Sequence, residues 1–155
     1  MFRNKKNKLY EIISPVEGTL INLEDVKDEM FSKKLLGDGV AIIPSSNEIV
    51  APIDGHITMI ASTKHAFGIE NDTIEILVHI GIDTVCLDGV GFTNLLNPGV
   101  YVKKGTPVIE IDKDSIENKG YDTTVMIISV KAPKDISFLT EHKLIKGGDI
   151  IGTYK

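Results

Sequence analysis

Two of the chain's four histidines sit where they could do chemistry. His79 follows an aliphatic run in Ile74-Glu75-Ile76-Leu77-Val78-His79-Ile80-Gly81, and His65 lies 14 residues earlier in Thr63-Lys64-His65-Ala66-Phe67-Gly68-Ile69. A neutral imidazole is a nucleophile near pH 7, and a second imidazole beside it can hydrogen-bond oxygens that gain charge on a transferring phosphoryl group. A phosphohistidine must also be kept from water, and a recess lined by Leu77, Phe67 and Phe31 would do that. The chain has no Gly-x-x-x-x-Gly-Lys-[Ser/Thr] loop, and Gly37-Asp38-Gly39-Val40 reads as a turn, so any phosphate must be brought by another protein.

Strands must position these rings. Strict alternation in the first run puts Ile74, Ile76, Val78 and Ile80 on one face of a sheet and Glu75, Leu77 and His79 on the other. The aliphatic set is the core face, so His79 points away from the main core. Upstream, Glu70-Asn71-Asp72-Thr73 reads as a hairpin connection. A three-residue loop, Asn71 to Thr73, pairs Glu70 with Ile74, Phe67 with Leu77 and His65 with His79, with facing Cβ atoms about 4.5 to 5.5 Å apart. A two-residue loop would put the histidines on opposite faces, and a bulge at Gly68 would also change the register.

The remaining sequence agrees with an all-β frame. The 155 residues suit one domain, and 42% apolar residues with only 6% aromatics and no tryptophan call for a core of isoleucine, valine and leucine. Ser14-Pro15-Val16-Glu17-Gly18-Thr19-Leu20 recurs as Ala51-Pro52-Ile53-Asp54-Gly55-His56-Ile57, and Val102-Lys103-Lys104-Gly105-Thr106-Pro107-Val108-Ile109 is echoed more loosely by Leu144 to Ile151. These echoes mark repeated tight turns between short strands, an antiparallel β-sandwich with barrel-like character and internal duplication. Helices are expected to be short and peripheral: Asp25 to Leu36 with Asp25 as N-cap, and stretches at 114–119 and 135–142. Residues 1–8 read as a flexible basic tail, making at most weak contact with a membrane surface, and residues 9–155 as a single domain.

Charge and cysteine content narrow the partners. A net charge of -5 offers no basic surface for nucleic acid. Cys86 is the one cysteine, which excludes an internal disulfide. No signal-peptide core or membrane-length run is evident, so a cytoplasmic location is the default expectation.

Along nearly its whole length the chain resembles the glucose-type IIA proteins of the bacterial sugar phosphotransferase system. The matching motifs are Gly37-Asp38-Gly39-Val40-Ala41-Ile42, Val50-Ala51-Pro52-Ile53-Asp54-Gly55, Thr63-Lys64-His65-Ala66-Phe67, Leu77-Val78-His79-Ile80-Gly81-Ile82-Asp83-Thr84-Val85 and Gly89-Val90-Gly91-Phe92. The resemblance implies that His79 accepts a phosphoryl group on Nε2 from the phosphohistidine carrier HPr and passes it to a cysteine of the IIB domain of a sugar permease. It implies that a backbone carbonyl near Gly81 holds Nδ1, that His65 stabilises the transferring group and that Thr63 orients His65. Asp83 matches an acid that meets an arginine of HPr, and Phe31, Val40, Phe67 and Leu77 would form the apolar rim that docks a partner. No cofactor is required. Some relatives bind zinc between the two histidines, which here would be His65 and His79, with a third ligand from a partner.

The chain departs from the family at Cys86, where relatives often carry an acid, and in the His65 to His79 interval, which is one residue short. A lipoyl or biotinyl carrier would share the turns and offer Lys113, yet it is about half this length and leaves both histidines idle. A zinc peptidase would need a third ligand and a His-x-His pair, and His79 is followed by Ile80-Gly81.

Overall fold

The computed structural model describes residues 8–155, so the expected basic tail lies, Lys8 apart, outside the described residues. Along the chain the strands are β1 (Tyr10–Ile13), β2 (Gly18–Asn22), β3 (Asp38–Pro44), β4 (Glu48–Val50), β5 (Gly55–Ile60), β6 (Ala66–Glu70), β7 (Glu75–Ile80), β8 (Phe92–Asn94), β9 (Tyr101–Val102), β10 (Pro107–Ile111), β11 (Val125–Lys131), β12 (Ile136–Phe138), β13 (Lys143–Ile145) and β14 (Ile150–Tyr154). Two short helices, α1 (Glu29–Ser32) and α2 (Lys113–Asn118), lie outside the sheets. An eight-stranded sheet runs β13-β2-β3-β11-β7-β6-β5-β9, and two three-stranded sheets run β1-β14-β12 and β4-β10-β8, every pairing being antiparallel. This is the antiparallel β-sandwich that the sequence implies.

The duplication runs through the whole molecule. The large sheet reads as a palindrome about the β11–β7 pair, with β13, β2, β3 and β11 matched by β9, β5, β6 and β7. Hydrogen bonds repeat with it. Ile13 N–H donates to Pro52 O at 3.0 Å, and its counterpart Val50 N–H donates to Pro15 O at 2.8 Å, so the two Pro-x-acid-Gly segments cross and clasp each other. Ser14 N–H reaches Asp149 O at 2.7 Å and Ala51 N–H reaches Thr106 O at 2.9 Å. The last match pairs Thr106 with Asp149 and Gly105 (φ 90°) with Gly148 (φ 89°), one residue along from the alignment the sequence suggested. In a glycine-rich turn only the residue held at positive φ marks the equivalent position, and the string Lys-Gly-Gly does not say which glycine that is.

One face of the large sheet packs against the smaller sheets in a single core that includes Ile12, Ile42, Ile49, Phe67, Ile76, Val78, Ile109, Ile127 and Ile151. As alternation required, Ile74, Ile76, Val78 and Ile80 all belong to it. The outer face carries a second, smaller apolar layer of Leu23, Val26, Phe31, Ala41, Met126 and Ile128, with Leu77 packed at its edge. The segment expected to be one helix over Asp25 to Leu36 supplies Val26 and Phe31 of that layer, and Leu23 just before it supplies a third residue. Leu23, Val26 and Phe31 are all buried against the sheet. Instead of one helix the chain makes a 3-10 turn at Leu23–Asp25, extends, and starts α1 with Asp28, not Asp25, as N-cap, its side chain accepting from Met30 N at 2.9 Å. Stretch 114–119 is helical as expected, but 135–142 is not. Ile136 and Phe138 alternate with period two, and β12 pairs with β14 through Ile136–Tyr154 and Phe138–Gly152.

Burial predicts the hierarchy of stability. Ile76→Ala, at a fully buried site on β7, should cost about 2 to 5 kcal/mol in urea titration, whereas Leu144→Ala, 84% exposed on edge strand β13, should change stability by less than about 0.5 kcal/mol.

Candidate active site

The two histidines meet, but not by the expected register. The hairpin between β6 and β7 has a four-residue connection, in which Asn71 N–H donates to Ile74 O at 3.0 Å and the Asn71 side chain accepts from Thr73 and Ile74 amides. Pairing is therefore Ala66 with His79, Phe67 with Val78 and Gly68 with Leu77. This is the register of the two-residue alternative, Asp72–Thr73, and the Asn71 side chain braces the turn by accepting from the Thr73 and Ile74 amides. Under regular pleating the observed register would send His65 to the core face. It escapes because β6 begins only at Ala66 and Lys64 takes a left-handed conformation (φ 58°), so the pleat does not dictate the direction of His65. The imidazoles of His65 and His79 stand edge to face with centroids 4.9 Å apart.

Each ring is held at Nδ1. His79 Nδ1–H donates to Gly81 O at 3.0 Å, which leaves Nε2 with a free lone pair. His65 Nδ1 lies 2.6 Å from Thr63 Oγ1, inside the tight Ala61–Ala66 turn. Gly81 is demanded by its site: φ is 82°, and a Cβ there would overlap the Thr84 side chain and crowd the Asp122 carbonyl. Phe31 covers the other side of His79, ring centroids 5.0 Å apart. Asp83 occupies the position before the 3-10 turn Thr84–Leu87 at φ 60°, but its side chain makes no capping hydrogen bond, which leaves the exposed carboxylate free for an external cation.

Of the apolar rim residues, Leu77 shares the face of His79 and is half-buried, and Phe31 touches His79 but is only 4% exposed. Val40 and Phe67, 1% and 0% exposed, point into the main core, so neither can meet a partner. Both fall on the inner face by the register just described: Phe67 opposes Val78, and Val40 opposes the core residue Ile127. The exposed aliphatics on the segments flanking the histidines are instead Met30, Val85 and Val90. Sequence reasoning missed them, although Val85 and Val90 stand within the motifs that carry the resemblance. It also missed Asp28, whose charge acts on His79, and Thr84, whose hydroxyl bonds the Ile80 carbonyl.

Burial pushes His79 down from the ordinary 6.5 to about 4, with the neighbouring His65 adding to the shift and the Gly81 carbonyl, Asp28 and Asp83 opposing it. Burial also lowers His65. The ring that would act as nucleophile is thus neutral at physiological pH. Among the described residues no group of three or more His, Cys, Asp or Glu side chains comes together as a metal site. No helix among them is long and apolar enough to cross a membrane.

The antiparallel sandwich thus holds a neutral, half-buried imidazole by Nδ1 beside a second imidazole, an arrangement chemically suited to group transfer. The model of the phosphoenolpyruvate-dependent sugar phosphotransferase system EIIA 1 family matches residues 10–134. The glucose-specific EIIA component of Haemophilus influenzae is 43% identical over 97% of this chain and 90% of its own. The glucoside-specific EIICBA component of Staphylococcus carnosus is 39% identical over 90% of this chain but only 20% of its own, so there the matching part belongs to a longer polypeptide. The solved glucose permease IIA from Mycoplasma capricolum superposes with a TM-score of 0.90 at 36% identity, covering 100% of both chains. The chain belongs to the EIIA 1 family of the phosphoenolpyruvate-dependent sugar phosphotransferase system, and it is a phosphoryl-transferring component of that system.

The depressed pKa of His79 has a thermodynamic signature. Between the unfolded value of 6.5 and the folded value of about 4 the unfolded chain binds more protons than the folded one, so stability should fall as pH drops through that window. Histidine ring NMR should show His79 titrating near 4, and His79→Gln should flatten the fall in urea-derived stability between pH 6.5 and 4.5.

Proposed function

We propose that His79 is the phosphoacceptor of a cytoplasmic IIA domain spanning residues 9–155, taking its phosphoryl group from phosphohistidine HPr and giving it to a cysteine of a IIB domain. The observation that carries this reading is the His79 Nδ1–H bond to Gly81 O, which fixes one tautomer and leaves Nε2 as a directed lone pair. The Nε2 lone pair attacks phosphorus as the bond to the donor imidazole breaks, and the electron pair of that bond returns to the donor nitrogen. In the second half, a IIB thiolate attacks the same phosphorus, the His79 N–P bond breaks and its electrons return to Nε2. Nδ1 keeps its proton throughout.

His65 serves as the hydrogen-bond donor to phosphoryl oxygens. With the Thr63 hydroxyl donating to Nδ1, its proton sits on Nε2, the remaining donor edge. Asp83, exposed and uncommitted, pairs with an arginine of HPr, and Met30, Val85 and Val90 with Leu77 give the apolar docking contacts. No cofactor is needed for this chemistry. Zinc between His65 and His79 would use two imidazoles and would need its further ligand from a partner, since the described residues supply no third one.

Incubation with phosphoenolpyruvate, enzyme I and HPr should add one acid-labile phosphoryl group per chain, lost in His79→Ala. His65→Ala should accept the label and fail to transfer it to a IIB domain. Normal labelling of His79→Ala would overturn the assignment.

A further inference from the structure

The carbonyl that holds His79 belongs to a peptide unit clamped on every side. Gly81 N–H donates to Thr124 O at 2.8 Å and Ile82 N–H donates to Asp122 O at 2.9 Å. The Asp122–Thr124 turn that supplies both carbonyls is itself pinned, because Asp122 Oδ1 accepts from Thr124 N at 2.8 Å and from Thr124 Oγ1 at 2.6 Å. The peptide between Gly81 and Ile82 therefore links two hydrogen bonds in series, from the Asp122 carbonyl through its own N–H and C=O to the His79 ring, an arrangement in which each bond polarises the next.

Thr84 closes the remaining side. It is fully buried, and its Oγ1 donates to the Ile80 carbonyl at 2.5 Å, across the turn that contains Gly81 (φ 82°) and Asp83 (φ 60°). Its methyl group lies against Gly81 so closely that a Cβ on Gly81 would overlap it. Two left-handed residues within three positions do not hold themselves, since each is a minority conformation and Asp83 is not glycine. The hydroxyl ties the last carbonyl of β7 to the first residue of the 3-10 turn, and the methyl packs beside Gly81.

We propose that Thr84 is a positioning residue for phosphoryl transfer, anchoring the Ile80–Thr84 turn so that the Gly81 carbonyl stays on His79 Nδ1 and His79 keeps a single tautomer. The proposal rests on the assignment of His79 as acceptor, and it concerns a residue that touches neither phosphate nor partner. Thr84→Val preserves shape and removes the hydroxyl, while Thr84→Ser preserves the hydroxyl and removes the methyl.

Ring 15N NMR of wild-type protein at pH 7 should show His79 protonated only at Nδ1. Thr84→Val should show mixed or exchange-averaged tautomers and a loss in the rate of phosphoryl uptake on the order of 10-fold at saturating HPr, the low end of the scale seen when a group that orients a metal-binding histidine is removed. KM for HPr should stay unchanged, and Thr84→Ser should restore both the single tautomer and the rate. A Thr84→Val protein with the wild-type ring spectrum and rate, losing only melting temperature, would reduce Thr84 to scaffold and overturn the proposal. Should Thr84→Val not fold, Thr84→Ala, which also lacks the hydroxyl, takes its place: a folded Ala variant with mixed tautomers and a slowed rate upholds the idea, and one with the wild-type ring spectrum and rate overturns it. Because the ring spectra need no phosphoryl donor, a failure of the His79 assignment in labelling would be distinguishable from a failure of this one.

Discussion

The hydrogen bond from His79 Nδ1–H to the Gly81 carbonyl is the interaction on which the site depends, because an imidazole is a directed nucleophile only when its proton is fixed on the other nitrogen. For residue i to bond the carbonyl of residue i+2, the chain must reverse at once at the end of β7. That reversal needs glycine at φ 82°, a left-handed Asp83 and a buried hydroxyl to tie it down. It also needs neighbours on both sides. The approach to β11 supplies the Asp122 and Thr124 carbonyls, and the turn before β6 supplies His65. β7 can draw on both because it is an inner strand of the eight.

The electrostatic setting follows from the layers. Phe31 and the outer apolar layer strip water from the His79 ring, and that desolvation outweighs the pull of Asp28 and Asp83 toward the protonated form. The ring therefore stays neutral well below physiological pH.

The internal symmetry shows how the site was placed. The pairing of Gly39 with Ile128 in one half corresponds to that of Ala66 with His79 in the other, so Ile128 is the structural mate of His79 and Asp38 that of His65. Ile128 and His79 lie on the same outer face. In the first half that position is aliphatic and buried in the outer layer; in the second it is an imidazole at the layer's edge. Symmetry supplied two equivalent frames, and the outer layer covers the first fully and the second in part, where Phe31 packs on the His79 ring.

Alternation in Ile74 to Ile80, the Pro-x-acid-Gly echo and the absence of long helical periodicity were readable because each depends on neighbours in the chain. They determined an all-β duplicated frame and put His79 on the outer face, while Thr63, His65, Gly81 and Asp83 followed from motif resemblance. The hairpin register, the replacement of an Asp25 to Leu36 helix by a 3-10 turn at Leu23–Asp25 and a four-residue helix at Glu29–Ser32, and the burial of Val40 and Phe67 could not be read from the sequence. Each is settled by contacts beyond the local pattern: an asparagine side chain bracing a turn, or a loop packed on a sheet face. The meeting of His65 with His79 belongs to the second kind. The sequence by itself determined that two imidazoles stand on adjacent strands. Only the tertiary structure decided that they touch, because a left-handed Lys64 and the end of β6 release His65 from the pleat that would have hidden it.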